Sequence, residues 1–273
     1  MAEHYNSSLE SLLFTALVSI IVASPFVIAP VLTRGIKHPR LRADLASFSA
    51  GIFLGTVTFS IIEESVKLGD ILTMGIGFGI GSVTFSIIRY MMQKNDKFHE
   101  KSSDNSSSST SSSSCNDDSS SSSDSNVNNG GSGQVIILGT LIDSHPETII
   151  IGIIIALGMS SLLPTVLALF TGNFAARVVG TINMIDEGKS KQEVLRKSFY
   201  VFIAVAIGGI IGYFLVRPLA ERYLSIIFGF AAGALISIVT EELIPEAYKK
   251  VNWHIGLSAA LGLFVSFAMF KAI

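Results

Sequence analysis

Long apolar stretches separated by short clusters of charge divide this chain into eight segments, approximately 11–33, 45–63, 70–92, 134–158, 161–182, 199–216, 224–244 and 254–271. A hydrocarbon core about 30 Å thick is crossed by about 20 apolar helical residues. In lipid the backbone polar groups must be satisfied within the helix itself. The pattern therefore predicts an all-α integral membrane protein with eight transmembrane helices. The sixth segment is short and the fifth contains Arg177, so these two fit the pattern least well. Composition points the same way. Of 273 residues, 49% are hydrophobic and only 15% charged, where a soluble domain carries about 25% charge.

Residues 102–133 interrupt the pattern with 17 serines, further Asn, Asp and Gly, and Val127 as the single branched apolar residue. Such a segment cannot bury enough surface to offset its ordering entropy. It is expected to be a disordered Ser-rich linker between residues 1–101, with helices 1–3, and residues 134–273, with helices 4–8. A spacer is the simplest role, and phosphorylation or docking is left open. The basic residues then set the orientation. With the N-terminus outside, 14 of the 19 Lys and Arg residues fall in the first, third, fifth and seventh loops. The positive-inside rule places those loops, and the linker, in the cytoplasm and both termini outside. The first helix, preceded by no basic segment, is expected to stay uncleaved. Which membrane holds the protein is not legible. Cys115 is the only cysteine, so neither an intrachain disulfide nor a thiolate metal cluster is expected.

The spans repeat one another. Phe48-Ser49-Ala50-Gly51 precedes Glu64 by the interval at which Phe230-Ala231-Ala232-Gly233 precedes Glu246. These motifs lie in the second and seventh spans, which run in opposite directions under the orientation above. The expectation is an inverted repeat, an organisation in which transporters hold substrate near the midplane at the repeat interface.

Within the fourth span, Asp143-Ser144-His145-Pro146-Glu147-Thr148 sits in a run that is otherwise apolar. Ionisable groups at mid-bilayer cost about 2.5–3.5 kcal/mol each on insertion scales, so they face a pathway or a partner. On a helix Asp143 and Glu147 are one turn apart, about 6 Å along the axis, and share a face. Ser144 flanks that face. His145 joins it only if Pro146 distorts the helix. Two carboxylates with hydroxyls make an oxygen-rich site suited to Mg²⁺, Mn²⁺ or Fe²⁺ as much as to Zn²⁺. A proton relay or a structural salt-bridge network is the plainer alternative. In the fifth span Asn173 and Arg177 are one turn apart, and Arg177 is expected either to pair with Asp143 or to reach for the cytoplasmic surface. Glu64, Glu242 and Glu246, at the ends of the second and seventh spans, are candidates for a vestibule on the transport path or for plain interfacial caps. Nothing in the chain suggests nucleophilic catalysis, a phosphate loop or a nucleic-acid surface, so no enzyme is expected.

Together these features resemble the ZIP family of zinc and iron permeases. The strongest match runs from Gly229-Phe230-Ala231-Ala232-Gly233 to Glu242-Leu243-Ile244-Pro245-Glu246-Ala247, which is similar to the family's seventh span, and Gly208 to Tyr213 resembles its sixth. The resemblance implies a 3+2+3 arrangement of helices with inverted repeats and a metal site on the fourth, fifth and sixth spans. The family's fourth-span motif is His-Asn-x-Pro-Glu-Gly. Here Pro146 and Glu147 match it, Asp143 stands in the His position and Ser144 in the Asn position. In the fifth span Asn173 is retained, with Gly172 and Ala176 at the His and Glu positions, and Val205 occupies the sixth-span Glu position.

The reading this supports is a ZIP-like transporter moving a divalent cation of the zinc, iron or manganese class toward the cytoplasm. Its metal residues would be Asp143, Glu147 and Asn173, with Ser144 and His145 in support. The metal would be the transported substrate, with no resident cofactor. The expected partners are the lipid bilayer and the cation, with a homodimer as a candidate assembly and no nucleic acid. A non-transporting ZIP-like sensor or complex subunit, and a transporter of another solute using Arg177, are the alternatives.

Overall fold

The structure is a computed structural model. It describes the backbone of residues 2–33, 39–104, 133–216, 218–250 and 254–272, with side chains in those stretches except at 2–9, 92–104, 133–143 and 250. The expected linker falls mostly outside the described residues. Every regular element described is helical. In chain order they are α1 (Ala2–Ala23), α2 (Pro25–Leu32), α3 (Pro39–Thr56), a π-helical turn (Val57–Ile62), α4 (Glu63–Leu68) and α5 (Ile71–Asp104). There follow α6 (Gly133–Leu157), α7 (Leu162–Asp186), α8 (Lys191–Leu215), α9 (Glu221–Ile238), a second π-helical turn (Val239–Leu243), α10 (Ile244–Lys250) and α11 (Ile255–Ala272).

Grouped by continuity these make eight crossings. Seven are long and apolar enough to span a membrane on their described residues, and Ser144–Leu157 is the apolar part described in the fourth, α6. The sixth is not short. It runs for 25 residues from Lys191 because the Ser190 side chain accepts a hydrogen bond from the Glu193 amide (3.2 Å) and caps the helix. Hydropathy alone starts this span too late, since the capping turn is charged and helical at once. The first crossing breaks at Ser24. Pro25 has no amide proton for the carbonyl of Ile21, which accepts instead from the Ser24 amide (3.2 Å) and hydroxyl (2.7 Å).

The inverted repeat is present in three dimensions. Pro39 and Glu221, Thr56 and Ile238, and Val57 and Val239 mark the same boundaries 182 residues apart, so both inner helices carry a π-turn in the same register. Ser65, at the end of the second crossing, and Ser225, at the start of the seventh, exchange hydroxyl-to-carbonyl hydrogen bonds of 2.8 Å each way. Their repeat mates, Ala247 and Ala43, pack together at the other end of the same two crossings. The second and seventh crossings are thus antiparallel and related by a pseudo-twofold.

These inner helices are the most buried crossings, while α5, α8 and α11 turn residues such as Ile80, Val83, Ile207, Ile211, Leu261 and Phe264 outward. The core between the halves contains Phe53, Ile61, Ile150, Ile154, Leu169 and Phe228. Close approach of outer to inner helices rests on repeat-related glycines. A Cβ at Gly51 would overlap the carbonyl of Ala259 in α11, and one at Gly233 would overlap the carbonyl of Phe78 in α5. Gly233→Ala should therefore push α5 off α9 and lower stability by about 1–3 kcal/mol, read as a lower unfolding temperature in detergent. A melting point equal to the parent's would show that the two helices part without cost.

Candidate metal site

Two antiparallel helices build the site. Ser144 on α6 faces Arg177 on α7, and Glu147 faces Asn173. Glu147 lies ten residues before the end of α6 and Asn173 eleven after the start of α7, about 15 Å along each axis, half the depth of the hydrocarbon core. Glu147 is 3% exposed and Asn173 1%. The Asn173 amide donates from Nδ2 to Glu147 Oε2 at 2.6 Å, a charge-assisted bond that fixes the carboxylate. It also fixes the amide, so that Asn173 Oδ1 lies buried with no hydrogen-bond partner. An orphaned acceptor beside a buried carboxylate is a place for a cation or a proton donor.

Hydroxyls flank the pair. Ser144 is buried, its Oγ 3.5 Å from Arg177 Nη2. Thr148 is fully buried, and its Oγ1 turns back onto the carbonyls of His145 (3.2 Å) and Ser144 (3.4 Å) beneath Gly208 of α8. α6 stays helical through Pro146, which leaves His145 two residues and about 200° away from Glu147 around the helix. His145 therefore does not join the carboxylate's face, because the proline costs one backbone bond without breaking the helix. Asp143 belongs to α6 one turn before Glu147, and its side chain lies outside the described residues, as does any pair it makes with Arg177.

Arg177 is partly exposed and packs against the first crossing. Its guanidinium carbon sits 4.6 Å from the centre of the Phe26 ring on α2, a cation–π contact. Phe26, itself 2% exposed, gave no signal in the sequence. Nor did Ser49, whose hydroxyl donates to the carbonyl of Gly172 (3.0 Å) and ties α3 to α7 beside Asn173.

The positions where the resemblance expects ligands are filled by packing. A Cβ on Gly172 would come within 3.1 Å of the Phe53 ring, so a larger side chain has no room there unless Phe53 moves. Val205 is buried with Ala23, Phe26 and Val201, and Ala176 packs against the main core. Among the described residues no three His, Cys, Asp or Glu side chains gather at metal-binding spacing.

The other acidic candidates are not gathered with Glu147. Glu64, 5% exposed at the end of the second crossing, pairs with Lys67 (3.4 Å). Glu242 pairs with Arg89 of α5 (3.0 Å), and Glu246 accepts from Asn183 of α7 (3.1 Å). Glu64 and Glu246 are repeat mates, so one marks each end of the helical bundle.

Comparison with known proteins joins this geometry to a family. The family model described as ZIP Zinc transporter matches residues 89–273, about two thirds of the chain, and includes both helices of the site. A stretch of 75 residues is 32% identical to the Zinc transporter ZupT of Chlorobaculum parvum (strain DSM 263 / NCIMB 8327), covering 27% of this chain and 28% of that protein's length. Eight crossings, an inverted repeat and a polar pair on the fourth and fifth helices agree with that match, and the chain belongs to the ZIP zinc transporter family.

Proposed function

We infer that this protein is a transporter, and not an enzyme, that carries a divalent metal cation toward the cytoplasm by alternating access, with Glu147 and Asn173 as the cation's station in the membrane. The observation that carries this reading is the orphaned Oδ1 of Asn173 beside the buried Glu147 carboxylate. An arriving cation would gain a carboxylate and an amide oxygen in place of part of its hydration shell. Asp143 and Ser144 are the further oxygen donors on the same stretch of α6, and His145 is a lesser candidate on the far side of that helix. Hard and borderline divalent ions, Mn²⁺, Fe²⁺ and Zn²⁺, suit such donors. The inward direction is what the family resemblance implies, while the positive-inside rule assigns only the basic loops to the cytoplasm.

A second reading has an observation of its own. Gly172, Ala176 and Val205 offer no donor where the family's ligands are expected, which favours a non-transporting ZIP-like protein, a sensor or a subunit of another complex. Uptake of Zn²⁺, Fe²⁺ and Mn²⁺ into liposomes holding the purified protein separates the two. Transport predicts saturable accumulation of at least one of these metals above empty vesicles. No accumulation of any of these metals above empty vesicles, with the protein folded, would support the second reading.

A further inference from the structure

Arg177 is the part of this cluster that cation transport alone leaves unexplained. It follows Asn173 by one turn of α7, and its guanidinium lies between Phe26 of α2 and Ser144 of α6. Its Nε is buried without a hydrogen-bond partner. Among the described residues no carboxylate stands in ion-pair contact with it. A cation so placed would repel an incoming metal, and an arginine within a span is costly. The same holds, with the opposite sign, for Glu147, because the Glu147–Asn173 and Ser144–Arg177 contacts are neighbouring rungs, about one turn apart on both helices. Each group is expensive alone, and each offsets the other.

That balance matters most when the site is empty. Alternating access returns the unloaded carrier across the membrane, and a bare carboxylate moving through low dielectric would make this step slow. We propose, on the basis of the transport role above, that Arg177 is a tethered counter-cation that neutralises the Glu147 region while no metal is bound. When metal takes Glu147 and Asn173, the guanidinium gives up Ser144 and keeps the Phe26 ring as its seat. The residue acts through Glu147, so its role is on the return of the empty carrier and not on ligation.

The test separates return of the empty carrier from movement of the loaded one. Liposomes holding the parent protein, Arg177→Met or Arg177→Lys are assayed for net uptake of labelled Zn²⁺, or of whichever of the three metals the parent carries best. They are also assayed for exchange of that label against the same metal preloaded inside, a mode that needs no empty return. Arg177→Met should slow net uptake by about tenfold or more and leave exchange within about twofold of the parent, while Arg177→Lys keeps both. Preserved exchange also shows that the variant is folded. Net uptake unchanged in Arg177→Met, or net uptake and exchange falling together, would overturn the proposal while leaving the transport role standing. Absence of exchange in the parent itself would instead remove the transport role and this inference with it.

Discussion

Glu147→Gln should reduce metal uptake by about 100-fold or more, to the level of empty liposomes, without unfolding the protein. The substitution keeps size and shape, and the glutamine carbonyl can still accept from Asn173 Nδ2 at the 2.6 Å contact. What is lost is the charge. A cation leaving water for a site half-way across the bilayer needs a negative partner, and losing one charged contact worth about 3 kcal/mol corresponds to about 100-fold in affinity. The desolvation cost of the carboxylate disappears together with the charge that offsets Arg177, so the two changes in stability oppose each other. Initial uptake rates in liposomes should therefore collapse while the unfolding temperature in detergent stays near the parent's. Uptake that survives the change would mean the cation does not stop at Glu147.

Asn173→Leu should act on both quantities at once. The leucine fills the same buried space but removes the donor to Glu147 and the orphaned acceptor that faces the site. A carboxylate left buried without its hydrogen bond costs about 1–3 kcal/mol, so the unfolding temperature should fall. The lost oxygen should weaken metal binding by about tenfold or more. Asn173→Asp supplies the contrast. It keeps an oxygen, removes the donor and sets two carboxylates at hydrogen-bonding distance, so the metal-free protein should be less stable and metal should bind more tightly. Metal titrations monitored by unfolding temperature read both effects. If Asn173→Asp and Asn173→Leu behaved alike, the side chain would be a packing element only.

Much of this architecture is legible in the sequence because membrane helices are constrained from outside. Lipid demands continuous apolar helices, so hydropathy counts the crossings, and the equal intervals from Phe48 to Glu64 and from Phe230 to Glu246 disclose the repeat. Hydropathy does not find the ends. The first turns of α8 hold Lys191, Arg196 and Lys197, and it is the Ser190 cap that starts the helix there. The paired π-turns at Val57–Ile62 and Val239–Leu243 have no residue signature, since an i→i+5 bond is a property of backbone register.

The site divides the same way. Glu147 and Asn173 stand out as polar residues in apolar surroundings, and their one-turn spacings to Asp143 and Arg177 follow from helical geometry. The contact between them depends on how α6 docks on α7, which periodicity does not encode. The seat of Arg177 on Phe26 and the closure of Gly172 by Phe53 join residues more than a hundred positions apart, and an apolar residue in a span carries no mark of which partner it meets. His145 was ambiguous for one reason, Pro146, and the helix passes through that proline intact.

The central claim is that the cation rests between Glu147 and Asn173. Crystals grown with Zn²⁺ and measured at the zinc absorption edge would test it most directly. An anomalous peak about 2.0–2.2 Å from a Glu147 carboxylate oxygen, with Asn173 Oδ1 turned toward it, is the result predicted here. A peak held by other residues, or none between these two at saturating zinc, would contradict it.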